Sequence, residues 1–162
     1  MSGMAHCDMF LKIQGVKQGM VNGEATEAKH VNEIEVFKWS WGLQAHSELS
    51  GLGPTRKASL GELDITKRVD RASTALMSAL ISNEAIKEAV LAVRKSGGDP
   101  LEYFVITLNK ARITGLHAQS EDHVLTERLT LAYEKITIEY KPQGPDGRAR
   151  GSTVFVADTA QS

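Results

Sequence analysis

The sequence predicts a mainly β protein, an antiparallel β-barrel or tight sandwich of about seven strands with one short α-helix. Three observations lead there. Much of the chain alternates apolar and polar residues, the period-2 signature of half-buried strands. The alternating runs are separated by turns rich in Gly, Pro and Ser, such as Ser96-Gly97-Gly98-Asp99-Pro100. One segment alone, residues 73–82, repeats its apolar side chains at helical spacing.

The first strand is predicted over Asp8-Met9-Phe10-Leu11-Lys12-Ile13. Residues 15–29 are polar, carry Gly15, Gly19 and Gly23, and read as a loop. The second strand begins near Asn32 and runs to Leu43. It holds both tryptophans, Trp39 and Trp41, which share one face because strand side chains alternate. They are the expected core anchors, and Lys38, Ser40 and Gly42 point the other way. The apolar phase slips from Ile34 and Val36 to Trp39, Trp41 and Leu43, which predicts a bulge near Phe37.

Residues 44–59 have no regular period and are expected to form a long exposed loop, of a length found mostly in functional or mobile segments. Its charges are His46, Glu48, Arg56 and Lys57, with Leu49 and Leu52 as apolar tips. Alternation returns over residues 60–69, with Leu63, Ile65, Lys67 and Val69 on one face. Ser73 is the expected cap of the helix, whose apolar residues are Leu76, Met77, Leu80 and Ile81. Strands over residues 87–95 and 101–116 flank the Gly-Gly turn as a hairpin. A polar turn at residues 119–123 leads to a strand over 125–140. Its change of phase, from Leu129, Leu131 and Tyr133 to Ile136, Ile138 and Tyr140, predicts a bulge at Glu134-Lys135. Residues 141–151 read as a loop and 152–157 as a last strand. The run Tyr103-Phe104-Val105-Ile106-Thr107-Leu108 is apolar on both faces, so its outer face must lie under the helix or against another subunit.

The 162 residues are most simply one domain over 1–162, which would bury about 70% of its unfolded surface. No apolar run approaches the roughly 20 residues that cross a bilayer. The formal net charge is −1 with nineteen scattered Lys and Arg, which gives no footprint for nucleic acid or an anionic membrane. A single cysteine, Cys7, excludes an internal disulfide framework. No basic head and apolar stretch opens the chain, so it is expected to be cytoplasmic when made and to leave, if it does, without a signal peptide. The five histidines show no metal-ligand spacing. His6-Cys7-Asp8 is a loose terminus before it is a chelator. There is no Gly-x-Ser-x-Gly elbow, and no two of Glu33, Glu35, Glu134 and Glu139 pair as acid and base. Neither an active site nor a cofactor site is visible.

Five motifs in register carry a resemblance. They are Asp8-Met9-Phe10-Leu11-Lys12-Ile13; Glu33-Ile34-Glu35-Val36 running into Trp39-Ser40-Trp41-Gly42; Asp64-Ile65-Thr66-Lys67 through Asp70 to Ala72-Ser73; Arg94-Lys95-Ser96-Gly97-Gly98 before Glu102-Tyr103; and Leu125-Thr126-Glu127 leading to Ile138-Glu139-Tyr140-Lys141-Pro142. In this order the chain resembles the Hcp (haemolysin-coregulated protein) family, the tube protein of bacterial type VI secretion, from about Asp8 to Pro142. Residues 1–7 are an extension outside the pattern, and residues 152–162 are less telling.

The resemblance implies a barrel subunit that assembles as a homohexameric ring. Such rings stack into a hollow tube inside a contractile sheath, beneath a VgrG-type spike. Contraction exports the tube, whose lumen can carry effector proteins. It implies no enzyme, no cofactor, no nucleic acid and no membrane insertion. Phe37, Lys38 and Ser40 match lumen-facing positions, and residues 44–59 match the loop that reaches the neighbouring ring. Two other readings of the residues stand beside it: a monomeric barrel that binds a small apolar ligand, and an enzyme with a site assembled from loops. Molar mass in solution separates the ring from both.

Overall fold

The computed structural model describes residues 8–45, 58–95, 101–142 and 151–159. Its elements are β1 (Met9–Gly15), β2 (Gly19–Met20), β3 (Ile34–Ser40), β4 (Leu43–Ala45), β5 (Ala58–Leu60), β6 (Leu63–Arg68), α1 (Ala72–Ile81), β7 (Ile86–Arg94), β8 (Glu102–Glu121), β9 (Val124–Tyr140) and β10 (Thr153–Asp158). Strands β6, β3, β1, β7, β8 and β9 follow one another by antiparallel pairing, and β9 returns to β6 to close a barrel. β10 pairs with the C-terminal part of β9, where β6 has left off. β2 pairs with the end of β1, and β4 with β5 in a separate two-stranded ribbon.

Alternation explains the wall. Leu11 and Ile13 of β1, Ile34 and Val36 of β3, Leu63 and Ile65 of β6, Ala89, Leu91 and Val93 of β7 and Leu129 and Leu131 of β9 all point into one core. Fully burying each large aliphatic side chain contributes about 1.5–3 kcal/mol. The barrel interior is therefore packed with side chains. The two-faced run of β8 buries Ile106 and Leu108 inside, while α1 packs against the same strand. β10 is different: Val154, Phe155 and Val156 are all exposed.

Several local expectations change. The register of β3 against β6 shifts between Val36 and Lys38, so the bulge lies at Phe37 as the phase slip predicts. Between β8 and β9 the register shift lies between Ile113 and Gly115, not at Glu134-Lys135. The buried phase of β9 does switch there, but β8 switches opposite it, at Lys110 with φ 52°. Matching irregularities on both strands leave the pairing register unchanged. The polar turn at 119–123 is tighter than predicted. β8 runs to Glu121, and Asp122 and His123 alone turn the chain with φ of 50° and 67°, the double left-handed geometry of a type I′ hairpin. The first loop also contains β2 and buries Val21 and Ala25.

The helix is where expected but starts one residue earlier and turns another face inward. Ala72, Ser73, Leu76 and Ala79 are buried, while Met77 and Ile81 are exposed. Ser73 is not its cap. Arg71 occupies that position without a side-chain bond, and Asp70 Oδ1 accepts from Ala72 N–H at 2.9 Å instead. Asn83, at φ 54°, turns the chain after the helix. Glu84 then reaches back to the β1–β2 turn. Its Oε2 accepts from the backbone N–H of Lys17 and Gln18 at 2.9 and 3.0 Å, and its Oε1 from Gln18 Nε2 at 2.9 Å. The Gln18 hydrogen bonds hold this carboxyl below its ordinary pKa. Gly15 makes room for it, since a Cβ there would collide with the Glu84 carboxylate.

Candidate functional site

Strands β3, β6, β9 and β8 lie side by side and present an outward face that the core does not use. The ladder sets its rows. Lys38 stands beside Thr66, Thr66 beside Arg128 and Arg128 beside His117. Ser40 pairs with Asp64, and Thr126 with Gln119. These side chains line a concavity of about 700 Å³ with Glu121 at one side.

The electrostatics of this face are mostly internal. The Arg128 guanidinium holds Asp64 through Nε, at 2.9 and 2.8 Å to the two carboxylate oxygens, and through Nη2. Hydrogen bonding to Asp64 raises the Arg128 pKa further above its ordinary value. Lys38 is exposed and makes no ion pair among the described residues. The face thus offers hydroxyls, an imidazole, an amide, the Lys38 cation and the Glu121 carboxylate. No group of His, Cys, Asp or Glu able to hold a metal occurs among the described residues. Such a surface can bind by hydrogen bonds and charge.

The structure brings Lys38 and Ser40 together here. The bulge leaves Phe37 exposed too, with the Arg68 guanidinium 5.3 Å from its ring centroid. Trp39 and Trp41 are half-buried and pack on the rim of the core. Trp39 stacks on Phe104 at 5.4 Å, and Trp41 Nε1 donates to Tyr133 Oη at 2.7 Å. Tyr133 in turn donates to the Gly61 carbonyl at 2.6 Å. Burial raises the Tyr133 pKa above its ordinary value. His46, Glu48, Leu49, Leu52, Arg56 and Lys57 lie outside the described residues, as do residues 1–7. The ends of their loop are paired in the ribbon, Gln44 opposite Ser59 and Ala45 opposite Ala58.

Behind this face, on the inward side of β6 and β9, sits a cluster that the sequence reading missed. Lys67 and Glu127 are fully buried and ion-paired. Lys67 Nζ also donates to Asp70 Oδ1 at 2.9 Å and Ser73 Oγ at 3.2 Å, and the Ser73 hydroxyl donates to Glu127 Oε1 at 2.6 Å. The signal was present. Lys67 follows Leu63 and Ile65 in phase, and Glu127 precedes Leu129 and Leu131 in phase. Opposite charges in the apolar phase of two strands point to a buried pair.

Comparison with known proteins places this architecture. A family profile described as "Type VI secretion system effector, Hcp" matches residues 10–140. The chain is 35% identical over 153 residues to Protein hcp1 of Pseudomonas aeruginosa, covering 91% of each chain. The crystal structure of Hcp1 from Salmonella typhimurium superposes with a TM-score of 0.77 at 30% identity, covering 95% of both chains. Hcp1 of the E. coli EAEC 042 pathovar superposes at 0.80, with 20% identity over 95% of this chain and 99% of that one, a likeness of fold.

Proposed function

The chain belongs to the Hcp family of type VI secretion proteins, and from that membership we propose that it is a subunit of the secretion tube, built as a homohexameric ring. Hcp proteins are structural, self-associating and secreted, and they are not a family of enzymes. In the proposed assembly the rings stack within a sheath, below a VgrG-type spike, and leave the cell when the sheath contracts. Lys38, Ser40 and Phe37 face the lumen and hold effector cargo. Residues 44–59, with His46, Glu48, Arg56 and Lys57, reach the neighbouring ring.

The observation that carries the reading is the outward polar face of β3, β6, β9 and β8, held rigid by a closed barrel and paired with no other part of the described chain. The exposed apolar strand β10 supports it, because Val154, Phe155 and Val156 on an edge need a cover. Light scattering coupled to size exclusion should give about six chains per particle, as one heterologous interface repeated around an axis requires. A stable monomer at micromolar concentration refutes the ring. Ser40→Gln should leave that mass unchanged and weaken cargo retention. Shortening the chain between Glu48 and Lys57 should leave single rings whole and reduce stacking.

A further inference from the structure

His30 lies in the connection between β2 and β3 and is buried. Its ring stacks flat on Phe10 of β1, with centroids 4.4 Å apart and planes 3° from parallel. Both ring nitrogens meet carboxylates. Nδ1 is 2.8 Å from Glu33 Oε1, and Nε2 is 2.6 Å from Glu102 Oε1 at the start of β8. The two contacts differ in kind. The first is a hydrogen bond, whereas Nε2 has no partner in hydrogen-bond geometry, so its attraction to Glu102 is that of charge alone. The other charged groups nearby are Arg94 of β7, 5.1 Å from the Phe10 centroid, and its partners Glu27 at 3.1 Å and Asp8 at 3.9 Å.

An ionised carboxylate only accepts, and a neutral imidazole has one N–H and one lone pair. Two carboxylates can therefore be satisfied together only by an imidazolium. We propose that His30 is a proton-operated latch that fastens the β2–β3 connection to the first residues of β8. Charged, it holds Glu33 and Glu102 at once. On losing a proton it keeps the Glu33 hydrogen bond through Nδ1–H and turns a lone pair toward Glu102. Glu102 then leaves, because its side chain is 36% exposed and water can solvate it, whereas that of Glu33 is 14% exposed and three residues from His30. Release frees the edge of the barrel where Arg94 pairs with Glu102 and Phe104 with Tyr140. The latch therefore closes when His30 takes up a proton and opens when it gives one up.

Hydrogen exchange read by mass spectrometry tests it on the full chain, in an assembly of any size. Exchange of the imidazole C2 hydrogen reports the protonation of His30. Amide exchange, corrected for its intrinsic pH dependence, reports the start of β8 against the middle of β9. As pH rises and His30 loses its proton, protection at Glu102 to Phe104 should fall several-fold, with the middle of β9 unchanged. In Glu102→Gln the side-chain amide can donate to a neutral Nε2, so the same protection should become independent of pH. Overturning results are wild-type protection at β8 that does not change with pH, a change that does not follow His30 protonation, or a Glu102→Gln variant that keeps the wild-type pH dependence.

Discussion

The strand pair β6–β9 carries an ion pair on each of its two faces, and the two differ in almost everything but their strands. Inward, Lys67 and Glu127 sit without solvent, joined by Ser73 and Asp70 beneath the helix. Outward, Arg128 and Asp64 share hydrogen bonds on a face open to water. In water the attraction of such a pair is largely offset by solvation and screening. Away from water neither charge can be left alone. Neither inward charge can therefore be removed alone, whereas the outward pair stays in contact with water. One step along a strand separates the two pairs.

Breaking the inward pair should have the largest effect. Lys67→Met leaves Glu127 buried without its cation, and this should cost about 3–5 kcal/mol in urea unfolding. Adding Glu127→Leu should restore much of that loss, since two apolar residues leave no stranded charge. A double variant as unstable as the single one would show that the cluster matters for shape and not for charge.

Glu84 sharpens the comparison, because it is a buried carboxylate satisfied by amides, with no ion pair among the described residues. Glu84→Gln cannot accept at all three donors and should lose about 1–3 kcal/mol at neutral pH. The folded pKa of Glu84 lies below its unfolded value. Its contribution is therefore complete above the unfolded pKa of about 4.3 and is lost as pH falls through the folded one. Acid titration of stability should accordingly be flatter in Glu84→Gln than in wild type over that window.

Smaller again is Trp41→Phe, which keeps a ring on the rim of the core but removes the donor to Tyr133. A loss of about 0.5–1.5 kcal/mol is expected, measured by thermal unfolding. The outward pair closes the series. Arg128→Gln should leave the melting temperature unchanged, and on the tube reading it should alter cargo retention with the ring intact. A drop in melting temperature comparable to that of Lys67→Met would erase the distinction between the faces.

How much of this was legible beforehand depended on whether the signal was local. Alternation located the strands, and the phase slip between Val36 and Trp39 located the bulge at Phe37. Helical spacing located α1, but its inward face is decided by what lies beneath it. Met77 and Ile81 fit the period and still face solvent, whereas Ser73 is drawn inward by Glu127. The β8–β9 turn lies within the expected residues but is tighter, because Asp122-His123 is not a usual type I′ pair and the polar residues before it look like loop. The outward face could be guessed from Lys38 and Ser40 alone. Its partners Arg128, His117 and Gln119 come from strands far along the chain, and only the register brings them there.

The same register has a consequence in time. The β8–β9 hairpin is closed by two residues, so its pairing begins between neighbours and can zip within microseconds. Barrel closure is another matter. It joins β6 to β9, and Lys67 must find Glu127 from 60 residues away. Loop-closure entropy makes such distant contacts late. The chain should therefore fold with an early hairpin and a slow final seam, and the buried charges at that seam should meet last. Variants at Lys67 are then expected to speed unfolding more than they slow folding, which leaves the last contact formed as the first to give way.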